Sequence, residues 1–420
     1  MEPPSQSVRA APGPWAAVAV TLCGVCAFLQ VYCTQPLLPL LAHIFRASKT
    51  GVGLTVSAAT LGVALSAPVF GALTERLARK RVIVASLFGI AIPTLLAATS
   101  TSLAQLVFWR FLQGIMVPGI IAVVVVYIGE EWPPDRVALI MSFYVSGTAL
   151  GGFMGRVSCG ILADWFSWRI GFLALGLASL AGATAVAAWL PHGKRRAPSQ
   201  SQSAPSPAAF LYQVEGLFRN RRLLATFAVG FDVLFSLVGV FTWITFHLSA
   251  PPFSLSIIAL SSLFFVYLVG LVVTPAAGLL ISRLGLRAGI SGAICCSICG
   301  VLLTLAPLLW VTIVELAMLA TGVFIAQTAS QSHLRVAAPP EARVTAAGLY
   351  FTCYYLGGTA AGVVPGIFWA IGKWPACVAF IVSMQIVALI IALIGWRVPG
   401  TMGALRLASE TTDKITNTLS

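Results

Sequence analysis

Twelve times along this chain an apolar run approaches or exceeds the roughly 20 residues that an α-helix needs to cross a bilayer. The runs cover 15–41, 53–73, 82–98, 103–128, 138–162 and 170–190. They continue at 223–248, 257–281, 288–305, 311–333, 346–371 and 375–396. Only 9% of the residues are charged and 59% are apolar. A soluble domain carries roughly a quarter charged residues, so this chain cannot cover a water-facing surface of its size. Its outer surface must face lipid.

The net charge of +13 invites a nucleic-acid reading. The bases, however, sit in short loops between apolar runs, which is a membrane-orientation signal and not a phosphate-binding face. With both termini placed inside, nineteen Lys and Arg fall in inner segments and four in outer loops, while Arg110 and Arg156 lie within spans. That bias predicts cytoplasmic termini. The first run lacks the layout of a cleaved leader and reads as a retained span.

The segment 191–222 contains SQSQSAPSPAA flanked by bases and reads as a flexible cytoplasmic linker. It separates 15–190 from 223–397, and short polar tails occupy 1–14 and 398–420. The two large parts resemble one another. Pro68 and Pro275, Gly71 and Gly278, Arg76 and Arg283, and Arg136 and Arg343 are each 207 residues apart. A parallel duplication places two halves around an axis normal to the membrane, as a rocking transporter requires. The expected fold is therefore all-α: twelve transmembrane helices in two pseudo-symmetric six-helix bundles.

Chemistry inside the spans is sparse. The nine cysteines fall mostly in apolar runs and read as packing residues. No metal cluster, nucleophile–base set or G-x-x-x-x-G-K-[ST] loop is present, so no cofactor and no ATP drive or enzymatic activity is expected. Arg110 lies roughly 12 Å inside the outer boundary at ~1.5 Å per residue, and Arg156 lies at a similar depth on the next helix. Together they can present positive charge to an anionic substrate or to a carboxylate elsewhere in the protein. A structural Arg110 bonded to backbone carbonyls is the alternative. Asp232 stands near the midplane of the seventh run, where burial disfavours its charged form. It is a candidate proton carrier, or a partner for Arg110 or Arg156. Glu315, one turn inside the tenth run, is expected to snorkel to the surface. Gln30, Tyr32, Gln35, Gln113, Tyr144, Tyr350 and Tyr354 are candidates for lining a substrate cavity, or else for packing.

Three motifs carry a family resemblance. The loop Gly71-Ala72-Leu73-Thr74-Glu75-Arg76-Leu77-Ala78-Arg79-Lys80-Arg81 resembles the G-x-L-x-D-R-x-G-R-K signature of the major facilitator superfamily, with Glu75 for Asp and Ala78 for Gly. A weaker copy runs from Gly278 through Arg283, with Ser282 at the acidic position. Arg110-Phe111-Leu112-Gln113-Gly114 matches the family's R-x-x-Q-G. Gly147-Thr148-Ala149-Leu150-Gly151-Gly152-Phe153-Met154-Gly155-Arg156 is similar to the antiporter motif G-x-x-x-G-P-x-x-G-G, with Gly152 for Pro and Arg156 for the last Gly. The text A-P-P-F-S-L and Y-Y-L-G-G resembles the arabinose-efflux-permease-like (YnfM-type) inner-membrane subgroup of its drug–proton antiporter-like branch.

The resemblance implies a monomeric secondary transporter of the bacterial inner membrane, exporting a small organic molecule against protons by alternating access. It implies that Gly71, Glu75, Arg76, Arg79, Lys80, Gly278 and Arg283 form a cytoplasmic gate. A carboxylate there would face a helix N-terminus, and the bases would bond the last carbonyls of other helices. It links Arg110 to proton coupling. Gly147, Gly151 and Gly155 permit close helix approach, expected here against the eighth span. Proton-coupled uptake of an organic anion, and a non-transporting membrane sensor or assembly protein, are the competing readings.

Overall fold

The computed structural model describes residues 13–73, 78–191 and 207–396, and these are helical throughout, without a strand. Lipid offers no hydrogen-bond partners, so a spanning backbone must pair internally, which leaves helices as the solution for apolar runs of this kind. All twelve expected spans are present, most within a few residues of the apolar runs. Span 1 combines Pro14–Leu29 and Leu38–Ile44 across a break. Span 2 is Lys49–Leu73, span 3 Arg79–Ala97 and span 4 Leu103–Glu131. Span 5 is Pro134–Trp165 and span 6 Trp168–Trp189. Span 7 is Arg221–Leu248, span 8 Ile257–Leu284, span 9 Leu286–Leu303 and span 10 Leu309–Ala337. Span 11 begins with Arg343–Val363. The helix Pro365–Gly395 joins its last turns to span 12 through Gly372 and Lys373, which leave helical backbone; Lys373 has φ 52°.

The interruptions follow from proline. Pro36 and Pro39 lack the N–H that an unbroken first span would need, and the chain passes through turns and a 3-10 segment, Gln35–Leu37, before the helix resumes. Pro118 likewise divides span 4 at Val117. Pro68 and Pro275 both lie inside helices, at matching places in spans 2 and 8. Gly285 turns span 8 into span 9 with φ 82°, a left-handed conformation open to glycine at little cost.

The linker holds more structure than its composition suggests. Pro207–Arg219 is a helix, and its Leu217 is buried while Phe218 packs on Phe227 of span 7 at 6.2 Å. Gln213 Oε1 accepts from Thr345 Oγ1 of span 11 at 3.1 Å. Proline supplies the first helical position, and apolar Val214, Leu217 and Phe218 recur at helical spacing. The linker helix is thus docked on the second bundle.

Glycine sets the closest approaches. A Cβ at Gly147, Gly151 or Gly155 would stand 2.4, 2.2 and 1.7 Å from the carbonyl oxygens of Thr21, Val25 and Leu29 respectively. The stripe therefore packs on span 1, in its own bundle, and not on span 8 as the sequence led us to expect. Span 8 meets span 5 elsewhere, through Ser261 at Gly160 and through Phe265, whose ring lies 4.7 Å from that of Phe153.

The two bundles meet on the side away from the linker helix, called here the far side. Ser57 Oγ donates to Thr359 O at 2.6 Å, and the Thr60 and Thr359 hydroxyls bond at 3.1 Å. Nearer the far end, Gly53 lies so close to Gly362 that an added Cβ would stand 2.1 Å from its carbonyl oxygen. Lys49 Nζ sits 4.2 Å from the Trp369 ring. Toward the linker side, spans 2 and 8 leave Leu65, Val69, Val272 and Leu279 exposed.

Candidate functional site

The break in span 1 frees carbonyls in the middle of the membrane, and Arg110 collects them. Its guanidinium is fully buried. Nε donates to Thr55 O at 3.0 Å, Nη1 to Gln30 O at 2.6 Å and to Gln113 Oε1 at 2.5 Å, and Nη2 donates to Val31 O. Gln113 Nε2 passes the network on to Thr94 Oγ1 at 2.9 Å, and Gln30 donates its amide to Ser179. Arg110 thus closes the broken helix of span 1 onto spans 2 and 4. The family-like glycine beside it, Gly114, allows this: its Cβ position is 1.9 Å from Ala59 O.

Arg156 has a different setting. It is 1% exposed and sits where spans 1, 5, 7 and 8 converge. Nε donates to Gln35 Oε1 at 2.8 Å and Nη1 to Gly152 O at 2.6 Å, but Nη2 has no partner. The rings of Tyr267, Tyr32 and Phe264 surround the guanidinium at 4.3, 4.7 and 5.0 Å. Gln35 Nε2 continues to Thr242 Oγ1 of span 7 at 3.1 Å, so one polar chain crosses both bundles. The Tyr267 hydroxyl is buried without a partner.

Neither arginine is joined to Asp232. That carboxylate is buried inside the second bundle, accepting from Ser236 Oγ at 3.3 Å. It shares a cavity of about 10 Å³ with Ser297, Gly322 and Gln385 from spans 9, 10 and 12. Gln385 Nε2 donates to Ser297 Oγ at 2.7 Å, and its Oε1 lacks a donor. Among the described residues the ion pairs are Arg79–Glu130 at 2.7 Å and Arg219–Glu215 at 2.6 Å.

The other candidates divide between seam and bundle. Tyr32 and Gln35 belong to the Arg156 cluster. Gln30, Gln113 and Tyr144 turn into the first bundle, Tyr144 reaching Ile121 O at 3.5 Å. Tyr350 and Tyr354 stack at 6.1 Å in span 11, with the Tyr350 hydroxyl 2.6 Å from Ser330 Oγ. In the gate motif, Glu75 and Arg76 lie outside the described residues. Gly71 falls near the end of span 2, Arg79 pairs within the first bundle, and Lys80 opens span 3. Gly278 and Arg283 are exposed, while neighbouring Arg287 donates to Leu393 O at 2.8 Å in the last turn of span 12.

Three residues fall outside the sequence expectations. Tyr267 and Phe264 complete the cage around Arg156, although nothing in their local text marks them. Glu315, expected at the surface, is fully covered, with both carboxylate oxygens unpartnered. It lies against Gly300 of span 9, whose missing side chain lets the helices close over it. A cavity of about 540 Å³ lies among Leu54, Phe108, Phe111, Thr359 and Val363; it is apolar, and neither arginine, Asp232 nor Glu315 lines it. No cluster of metal ligands occurs among the described residues, and the nine cysteines are free.

Two six-helix bundles meeting around a buried polar seam define a multi-pass membrane transporter. The Major Facilitator Superfamily model matches residues 20–362, and the chain belongs to that family. It is 32% identical to an uncharacterized transporter of Buchnera aphidicola from Schizaphis graminum over 90% of each chain. It is 30% identical to the inner membrane transport protein YnfM of Escherichia coli, covering 89% of this chain and 88% of YnfM. Among solved structures, the nucleoside transporter NupG superposes with a TM-score of 0.75 at 14% identity, covering 91% of this chain and all of that one.

Proposed function

We propose that this transporter couples protons to the export of a small organic molecule across the bacterial inner membrane, with the linker and both termini in the cytoplasm. The observation that carries the coupling is Asp232. It is a buried carboxylate with no counter-ion among the described residues, facing a cavity that also holds the donor-less Oε1 of Gln385. An ionised carboxylate supplies only acceptors, whereas a protonated one supplies an O–H donor to a cavity in which the Gln385 Oε1 has none. A site better satisfied with a proton than without one can bind and release it as the bundles move. The excess of bases on the linker side supports a cytoplasmic location for that side. The far-side bonds between bundles then make this conformer inward-facing. Glu75 and Arg76 would latch the opposite state.

The experiment is flux in vesicles of purified protein with and without a pH gradient. Asp232→Asn is expected to abolish gradient-driven flux while sparing counterflow exchange. Undiminished coupling in the variant would sink the carrier role. Proton-coupled uptake of an organic anion is the second reading. It is favoured by Arg156, which stands where the antiporter-like motif ends in glycine. Sided vesicles separate the two by the direction in which a pH gradient accumulates substrate.

A further inference from the structure

We propose that Arg156 anchors an anionic group of the transported molecule, a carboxylate or a comparable oxyanion, between its free Nη2 and the hydroxyl of Tyr267. This rests on the transport reading above and adds the substrate class.

A buried guanidinium in the membrane is costly unless it is paired or lines a cavity. Arg110 meets that demand with carbonyl and amide oxygens on all three nitrogens. Arg156 has acceptors on two nitrogens only, and no carboxylate among the described residues pairs with it. Three aromatic rings lie within 5.0 Å and supply cation–π attraction, yet rings bring no negative charge. What the site lacks is an anion.

The geometry also says which kind. With rings around the guanidinium, its remaining hydrogen-bonding capacity is greatest at Nη2, which has no partner at all. The second unpartnered group, the Tyr267 hydroxyl, belongs to the ring nearest the guanidinium. Both can donate. A ligand that accepts through two oxygens satisfies both and brings the missing charge; an amide can pair with both groups, since the phenol oxygen also accepts, but brings no charge. The position suits transport as well. Tyr267 and Phe264 come from one bundle and Arg156, Tyr32 and Gln35 from the other, while Gln35 binds Thr242 across the seam. An anion held there touches both moving parts.

The test is a thermal-shift panel on the purified full chain: benzoate, hexanoate, succinate and benzenesulfonate, each with its amide and amine counterparts. Hits are followed by flux in vesicles. Acids are expected to stabilise the wild type more than their counterparts. Arg156→Gln should weaken those acids roughly 10- to 100-fold, the range of a lost hydrogen bond to a charged group. Tyr267→Phe, which keeps the ring, should weaken them about 5-fold. Arg156→Gln without ligand should melt no lower than the wild type, because it removes an uncompensated charge. Should that variant fail to fold, Tyr267→Phe alone decides. Acid responses unaffected by these variants, or responses confined to amides and amines, overturn the anchor while transport stands. Absence of any response and of any flux in the wild type removes the transport reading together with the anchor.

Discussion

Arg110 and Arg156 are buried at similar depth in neighbouring spans of the same bundle, and the protein treats them oppositely. Around Arg110 the chain breaks a helix and aims the freed carbonyls at the guanidinium, so every nitrogen is bonded. Around Arg156 it places rings and leaves one nitrogen bare. A saturated charge is a fastener, and an unsaturated one in a seam is a place for a ligand. Asp232 repeats the second pattern in the other bundle. There a single serine hydroxyl bonds the carboxylate, and a donor-less amide oxygen lines the same cavity.

The sharpest way to break this comparison is to remove each arginine. Arg110→Met removes the side-chain donor from Val31 O and one donor each from the Gln30 and Thr55 carbonyls in a dry interior. A loss of about 3–5 kcal/mol is expected, the cost of breaking a buried charged network, read as a collapse of melting temperature or of monodisperse yield in detergent. Arg156→Met should cost far less. Equal losses at the two sites would show that both are fasteners.

The glycine stripe gives the next largest effect and tests the seating of Arg156. At Gly155 an added methyl would stand 1.7 Å from Leu29 O, backbone that cannot step aside, whereas at Gly152 its nearest neighbour is Arg156 Nη1 at 3.3 Å. Gly155→Ala is expected to destabilise by roughly 1–3 kcal/mol through overpacking of spans 1 and 5. Gly152→Ala should change stability little. A reversed order would contradict the span 1–span 5 packing.

That packing marks where the sequence ran out. The twelve spans are legible because apolar length is obligatory in lipid, and the Pro68–Pro275 and Gly71–Gly278 repeats expose the duplication. Glycines four apart put Gly147, Gly151 and Gly155 on one face, but they do not say which helix fills it. Several helices in a twelve-span bundle could do so, and span 1 does. The proline-broken backbone of Gln30 to Leu37 carried a signal in Pro36 and Pro39, yet the capture of its carbonyls by Arg110 required the fold. Tyr267 and Phe264 joined Arg156 from more than 100 positions away, with no local pattern to announce them. The linker helix was masked by the Ser/Pro-rich text before it, although its apolar spacing is regular.

A smaller effect is expected where the Arg156 cluster reaches across the seam. Gln35→Ala removes an acceptor from Nε and a donor to Thr242, and about 1–2 kcal/mol of stability should follow from the two groups left unpaired. Thr242→Val breaks only the second bond and should cost less. If both variants match the wild type in melting temperature, the polar chain joining the bundles contributes nothing to this state.

The smallest expected effect is on the balance between conformers. Ser57 Oγ donates to Thr359 O between spans 2 and 11 on the far side, where the bundles are in contact and where they must part for the opposite-facing state. Ser57→Ala removes that bond in one state only, while both bundles keep their internal packing. A net hydrogen bond contributes about 1 kcal/mol, which is roughly a 5-fold change in a two-state population. Paired spin labels on the far-side ends of spans 2 and 11 should report the gain as a longer-distance population, with no change within either bundle. A distance distribution identical to the wild type would mean that the far-side contact is held by the close backbone approach of Gly53 and Gly362 rather than by hydrogen bonding. In that case Gly53→Ala, whose Cβ would stand 2.1 Å from Gly362 O, becomes the substitution that opens the far side, and the balance between conformers is set by sterics instead of polarity.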